Sequence, residues 1–233
     1  MGRTGIYYEN IKEFINLLGN NIKVDGIYTH FAVADNDFEY TNKQIEKFNK
    51  AIAESENTLG KLKYIHAGAS NGIINFKQSH FNMIRPGILI YGYKSFDNTY
   101  EKINVKPITK LKCKITYIKD IEVGTSIGYG RTFIANKKMK IATIPIGYAD
   151  GVKRCLSNKG NVVINGKKAK ILGTVCMDSI MVDISSIDNV KVGDYAYIWD
   201  NEIITLEEVA SQCDTINYDI LCNISDRVKR EFV

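Results

Sequence analysis

Apolar residues recur at helical spacing near the start of the chain. Ile11, Phe14, Ile15 and Leu18 share one face, and Gly19 supplies a stop. Residues 24–31 form an apolar, β-rich run, and Ile45, Phe48 and Ile52 mark a second helical face. Residues 64–69 read as a short strand, 71–76 as one helical turn, and 83–91 as a further strand. Strand, helix, strand in this order requires parallel strands joined by crossovers. About three such units are visible up to residue 104. A closed eight-stranded (β/α) barrel needs far more chain, so this region is either a small open sheet or part of a barrel.

After Pro107 the period becomes two. Residues 114–121, 140–146, 161–164, 169–175, 180–184 and 195–199 alternate as strands do. Asn165-Gly166 between two of them signals a type I′ hairpin. Thr205-Leu206-Glu207-Glu208 is a capping box that opens a helix through Ala210. The expected fold class is therefore α/β plus β, with a mostly antiparallel second domain. Residues 95–106, polar and irregular, are the expected linker, which divides the chain into residues 1–104 and 105–233.

With 233 residues the chain can bury one good core or two small ones. Its 45% apolar and 24% charged content places it with soluble globular proteins. The net charge of +5 is spread out: in Lys110-Leu111-Lys112-Cys113-Lys114-Ile115 the lysines alternate with apolar residues, as on the wet face of a strand. Nucleic-acid binding needs its basic residues gathered on one surface, and no such run exists. The five cysteines, at 113, 155, 176, 213 and 222, are odd in number and form no Cys-x-x-Cys pair. That argues against a disulfide framework or a zinc site, and for a reducing cytoplasm. No signal peptide or membrane-length apolar run is present.

In parallel α/β folds chemistry collects where strands end. Three strand ends here carry polar residues: Tyr28-Thr29-His30-Phe31, His66-Ala67-Gly68-Ala69-Ser70-Asn71-Gly72, and Asn82-Met83-Ile84-Arg85-Pro86-Gly87-Ile88. His30 alone reads as a hydrogen-bonded core histidine or as a catalytic one. Ser70 is either a helix cap or part of a phosphate site. Arg85, in apolar company, must find acceptors: a carboxylate, a cluster of carbonyls or a ligand. Gly87 lets a backbone N–H approach something bulky. His66 and His80 read as structural, His80 as solvated. In the second region Tyr129 lies within Gly124-Thr125-Ser126-Ile127-Gly128-Tyr129-Gly130-Arg131. It is either an aromatic lid at a β-bulge or a phenol held out at a site. Pro145-Ile146-Gly147-Tyr148-Ala149-Asp150-Gly151 repeats that theme, and Cys176-Met177-Asp178 ends a strand with a carboxylate that could be only a turn cap. Met1-Gly2-Arg3-Thr4-Gly5-Ile6 reads as the inside of a protein: a tight bend presenting one cation.

Taken together and in order, these segments resemble the alanine racemase family of the pyridoxal-phosphate fold-type III group. Met1-Gly2-Arg3-Thr4-Gly5 is similar to that family's internal TGMGR-x-G segment. Tyr28-Thr29-His30-Phe31, Asn82 to Gly87, Gly128-Tyr129-Gly130, Ile146 to Gly151 and Val175-Cys176-Met177-Asp178 resemble five more of its signatures. Ile216-Asn217-Tyr218 and Ser225-x-Arg227-Val228 match its C-terminal end.

The resemblance implies a partial (β/α)8 TIM barrel followed by a mostly antiparallel β domain. It also implies a cytoplasmic homodimer whose active sites draw on both subunits, and an isomerase that converts L-alanine to D-alanine for peptidoglycan synthesis. Pyridoxal 5'-phosphate is the implied cofactor. Arg85 would bond its pyridine nitrogen, with His30 beside that arginine. Ser70, the backbone of Gly87 and Ile88, and Tyr218 would hold its phosphate. Tyr129 would be a catalytic base in the partner's site, Met177 and Asp178 would reach the partner's substrate entrance, and Arg3 would assist the substrate carboxylate. The family's cofactor lysine precedes everything in this chain, which implies a fragment inactive by itself. Ala69 stands where the family usually has asparagine. Two alternatives remain at this point: a racemase for another small amino acid such as serine, and a non-catalytic binding module.

Overall fold

A computed structural model describes residues 1–19, 21–94 and 103–233. It divides into two compact units, Met1–Lys106 and Pro107–Val233. Most of the expected linker, residues 95–102, lies outside the described residues. Among the described residues no helix is long and apolar enough to cross a membrane.

The first unit is built on three short parallel strands in the order β1-β2-β3: β1 (Gly26–Tyr28), β2 (Tyr64–Ala69) and β3 (Met83–Arg85). Helix α1 (Ile11–Leu17) lays Ile11 and Ile15 against Ala51 of α2 (Phe38–Leu59), as the helical spacing requires. Asp37 caps α2 by accepting from the Tyr40 N–H at 2.8 Å, and Gly60, at φ 78°, follows its last turn. Phe31, Ile45, Phe48, Ala67 and Phe76 form the core between helix and sheet.

The run at 83–91 is not one strand. It stops at Arg85 and becomes a 3-10 helix, Ile88–Tyr91. Pro86 has no N–H to extend the ladder, so the apolar residues beyond it leave the sheet. The break turns the Gly87 and Leu89 N–H groups back towards β2, where Ser70 begins α3 (Ser70–Asn75). Residues 24–31 likewise shrink to β1, which pairs with β2 alone.

The second unit holds seven antiparallel strands in the order β4-β12-β9-β10-β11-β8-β5. The run at 114–121, which reads as one strand, is two: β4 (Leu111–Lys114) and β5 (Tyr117–Ile121). They lie at opposite ends of the strand order, yet only Ile115 and Thr116 separate them. The Ile115 N–H donates to the Asp194 carbonyl, and the Thr116 N–H to the Thr143 carbonyl. The chain changes partners within two residues, so the sheet curls until its edges meet. The curl encloses Ala142 and Ile144 of β8 (Met139–Ile144), Val162 and Ile164 of β9 (Asn161–Ile164), and Ala169 and Ile171 of β10 (Lys167–Leu172). Ile180 and Val182 of β11 (Ile180–Asp183) and Ala196 and Ile198 of β12 (Tyr195–Trp199) complete it.

These inward positions fall at every second residue of their strands. Asn165 and Gly166, at φ 47° and 73°, make the turn between β9 and β10. A small ribbon, β6 (Ser126–Ile127) with β7 (Phe133–Ile134), carries Tyr129 at its tip. The Thr205 hydroxyl accepts from the Glu208 N–H at 3.1 Å and caps α4 (Leu206–Gln212), which is followed by α5 (Asn217–Cys222).

Candidate functional site

The parallel register places Tyr28 opposite His66 and Ala69 opposite Arg85. One guanidinium therefore reaches across all three strands. Arg85 Nη2 donates to the carbonyls of Thr29, at 2.8 Å, and Ala67, at 2.9 Å, and to His30 Nδ1 at 3.3 Å. Its Nη1 bonds His66 Nδ1. A guanidinium only donates, so both imidazoles accept at Nδ1 and carry their proton on Nε2. Burial, reinforced by the Arg85 charge, holds both histidines below their ordinary pKa, and Arg3 adds to the effect on His30. Burial also draws Arg85 down from its usual value. The Tyr28 ring stacks on His66, with centroids 5.1 Å apart, and lies 5.7 Å from the guanidinium carbon.

Of the three acceptor types open to Arg85, the one present among the described residues is the cluster of neutral groups. Its charge is solvated without being cancelled. His66, read from the sequence as structural, is the acceptor that the sequence did not assign to Arg85. Its role depends on which residues face each other across parallel strands, and the juxtaposed strand ends Tyr28, His66 and Arg85 were the available signal.

Ser70 lies one strand end away and is 3% exposed. It does not cap α3: the cap position is Ala69, and no side chain serves it. The Ser70 hydroxyl instead accepts from the N–H of Gly87 at 3.0 Å and of Leu89 at 3.4 Å. Its own proton meets no acceptor among the described residues. A Cβ added to Gly87 would approach only that hydroxyl, at 3.7 Å. The Ile88 N–H starts the 3-10 helix beside it. A free hydroxyl proton and backbone N–H groups converging beside Gly87 suit an anion.

In the second unit, Tyr129 is 74% exposed between Gly128 and Gly130, both at φ 71°. Met177 is exposed, and Asp178 Oδ1 accepts from Arg227 Nη2 at 2.5 Å. Arg227 Nε also bonds Asp150 Oδ1 at 2.6 Å, while Asp150 Oδ2 accepts from the Gly147 N–H at 2.8 Å. Tyr148 and Ala149 donate N–H bonds to the carbonyls of Cys176 and Met177, both at 3.0 Å. Gly147 permits that contact, since a Cβ there would fall 2.3 Å from the Cys176 carbonyl. The 147–150 loop and the 176–178 turn are thus one platform, clamped by Arg227. The two carboxylates raise the Arg227 pKa above its ordinary value. Tyr218 is half-buried on α5. Arg3 is exposed in the first unit. Among the described residues no three His, Cys, Asp or Glu side chains are placed to hold a metal ion.

Two family models match the chain: "Alanine racemase, N-terminal domain" over residues 1–95 and "Alanine racemase, C-terminal domain" over residues 108–232. The chain is 41% identical to the alanine racemase of Halothermothrix orenii over 238 residues, covering 100% of this chain and 63% of that protein. It is 44% identical to the alanine racemase of Methanococcus maripaludis, covering 97% of this chain and 61% of that one. The chain thus spans less than two thirds of the length of these curated relatives. Among solved structures, alanine racemase from Clostridium difficile superposes with a TM-score of 0.91 at 38% identity, over 98% of this chain and 61% of that one. The Bartonella henselae enzyme, described with covalently bound pyridoxal phosphate, gives 0.86 at 30% identity over 100% of this chain and 64% of that one. The Bacillus anthracis enzyme with bound L-Ala-P gives 0.89 at 32%, over 98% and 61%. From the first residue to the last but one, in both units, the chain belongs to the alanine racemase family.

Proposed function

We propose that this chain carries the greater part of a pyridoxal-phosphate-dependent isomerase that interconverts L- and D-alanine. The observation that carries the reading is Arg85: a strand-end guanidinium held, among the described residues, by neutral acceptors, close to an anion cradle at Ser70. The residues fit the cofactor at both of its poles. Ser70 Oγ–H, the Gly87 and Ile88 N–H groups and Tyr218 would hold its phosphate, and Arg85, steadied by His30 and His66, would donate to its ring nitrogen. When bound, the cofactor supplies an electron sink that acidifies the substrate α-hydrogen.

The remaining work falls to this chain's own side chains. Arg85 holds its protons far above neutral pH, so it offers the ring nitrogen a hydrogen bond without transferring a proton. The Tyr129 phenol takes or returns the α-proton on one face. Arg3 would supply positive charge beside the phenol that enters its site from the other subunit. Arg3, Met177 and Asp178 would orient the substrate. In this reading the first unit is part of a (β/α)8 barrel, with domains at 1–104 and 105–233. The protein works as a cytoplasmic homodimer in which Tyr129, Met177 and Asp178 enter the partner's site, and its D-alanine feeds peptidoglycan synthesis. The names of the relatives favour alanine over serine.

The test is D-alanine formation from L-alanine by this chain joined to the lysine-bearing N-terminal part of a relative and supplied with pyridoxal phosphate. Turnover is expected, falling about 100-fold or more in Tyr129→Phe, which keeps the ring and removes the proton-carrying oxygen. Turnover indifferent to Tyr129→Phe would contradict the reading.

A further inference from the structure

Tyr129 sits in a loop with little to hold it. Gly128, Gly130 and Arg131 all take positive φ, at 71°, 71° and 50°. The arms of the ribbon are two residues long, and the exposed Tyr129 ring adds no burial. From outside the loop, the Thr174 hydroxyl donates to the Tyr129 carbonyl at 2.9 Å. Thr174 is 8% exposed, and its backbone closes on the same turn: a Cβ on Gly128 would come within 3.1 Å of the Thr174 nitrogen.

The bonds behind Thr174 have a fixed direction. The Thr174 proton is committed to Tyr129, so the Thr132 hydroxyl, 3.2 Å away, must donate to Thr174. Thr132 Oγ1 in turn accepts from Asn158 Nδ2 at 3.0 Å. Asn158 is locked onto Gly173, whose N–H donates to Asn158 Oδ1 at 2.6 Å and whose carbonyl accepts from the Asn158 N–H at 3.2 Å. The order Asn158 to Thr132 to Thr174 to Tyr129 is a chain of donors in which each bond polarises the next.

We propose that Thr174 is a positioning residue for Tyr129: its hydroxyl, at the end of the donor chain from Asn158, fixes the backbone that presents the phenol. The functional half of this inference rests on the reading of Tyr129 as the proton-transferring group. The anchoring half does not.

The test compares wild type with Thr174→Val, which keeps the shape and removes the hydroxyl, and with Thr174→Ser, which restores it. Hydrogen exchange at amides 129–132 should rise about fivefold in Thr174→Val, with β8 to β11 unchanged, and return to wild type in Thr174→Ser. Unchanged loop exchange, or a rise spread evenly over the domain, would overturn the proposal. Should Thr174→Val not fold, Thr132→Val cuts the chain one link earlier. It should raise exchange about twofold at the same amides, and no rise there overturns the proposal equally. In the racemisation assay Thr174→Val should lower kcat about fivefold with KM nearly constant, and Thr174→Ser should recover it. A loss confined to KM counts against positioning. Absence of racemisation in wild type joined to the lysine-bearing N-terminal part removes the proposed function, and the exchange result alone then decides the anchoring.

Discussion

Arg85 and Arg227 place the same side chain in opposite company. Arg85, at the end of β3, meets two carbonyls and two imidazoles. Arg227, in the C-terminal tail, bridges the carboxylates of Asp150 and Asp178. Among the described residues, the first arginine has its Nη2 donors taken by neutral acceptors and its charge uncancelled. The second has its charge cancelled twice, and it holds a loop to a turn. Geometry alone would rank Arg227 as the stronger interaction, with short charge-assisted contacts that push its pKa up. Electrostatics reverses the functional ranking, because an uncancelled guanidinium still attracts a ligand whereas a cancelled one is a clamp.

The largest expected separation is in cofactor binding. Arg85→Ala should weaken pyridoxal phosphate binding about 30-fold, the scale of one charge-assisted hydrogen bond, while Arg227→Ala changes it less than about twofold. Equilibrium titration measures both, and equal losses would erase the distinction. Arg227→Ala should instead lower the urea midpoint of the second unit and speed exchange at amides 176–178. Protection there that survives the substitution would mean that the tail does not clamp the platform. Ser70→Ala removes one donor to the anion and should weaken inorganic phosphate binding about fivefold, measured by competition against pyridoxal phosphate.

The smallest effect is on pH dependence. His30 and His66 titrate below 6.5 when folded, so the unfolded chain binds protons first as the pH falls. Their contribution to the first unit is complete above about 6.5 and declines as the pH drops through the lowered folded values. In the second unit the Lys153 ammonium holds the Asp219 carboxylate below its usual range, so that contribution survives until the pH falls below about 4. Between pH 6.5 and 5, exchange protection corrected for intrinsic rate should fall in β1 to β3 and persist in β8 to β11. Parallel losses in both units would show that the imidazoles do not carry the Arg85 cluster.

The two units were unequally legible in the sequence. Period-two alternation found most strands of the second unit, and Asn165-Gly166 found its turn, because both signals are local. Local pattern could not show that residues 114–121 leave one edge of the sheet for the other at Ile115-Thr116, since alternation continues through the change of partner. Pro86 was the visible reason to end β3 at Arg85, outweighed in a purely hydrophobic reading by the apolar Ile88-Leu89-Ile90 beyond it. The need of Arg85 for acceptors was readable from its apolar neighbours. That His66 would be one of them was not, because this depends on the register of β2 against β3. The Arg227–Asp150 pair joins residues 77 apart, and no local signal marks it.

The proposed anion and ring cradle lies at the ends of β2 and β3, around Ser70, Gly87 and Arg85. The most direct measurement is an amide and side-chain NMR titration of the chain with pyridoxal phosphate. The account predicts that Ser70, Gly87 and Ile88 amides, the Arg85 guanidinium and the two imidazoles shift together along one binding curve. Binding that leaves these resonances in place, or no binding at millimolar cofactor, would contradict it.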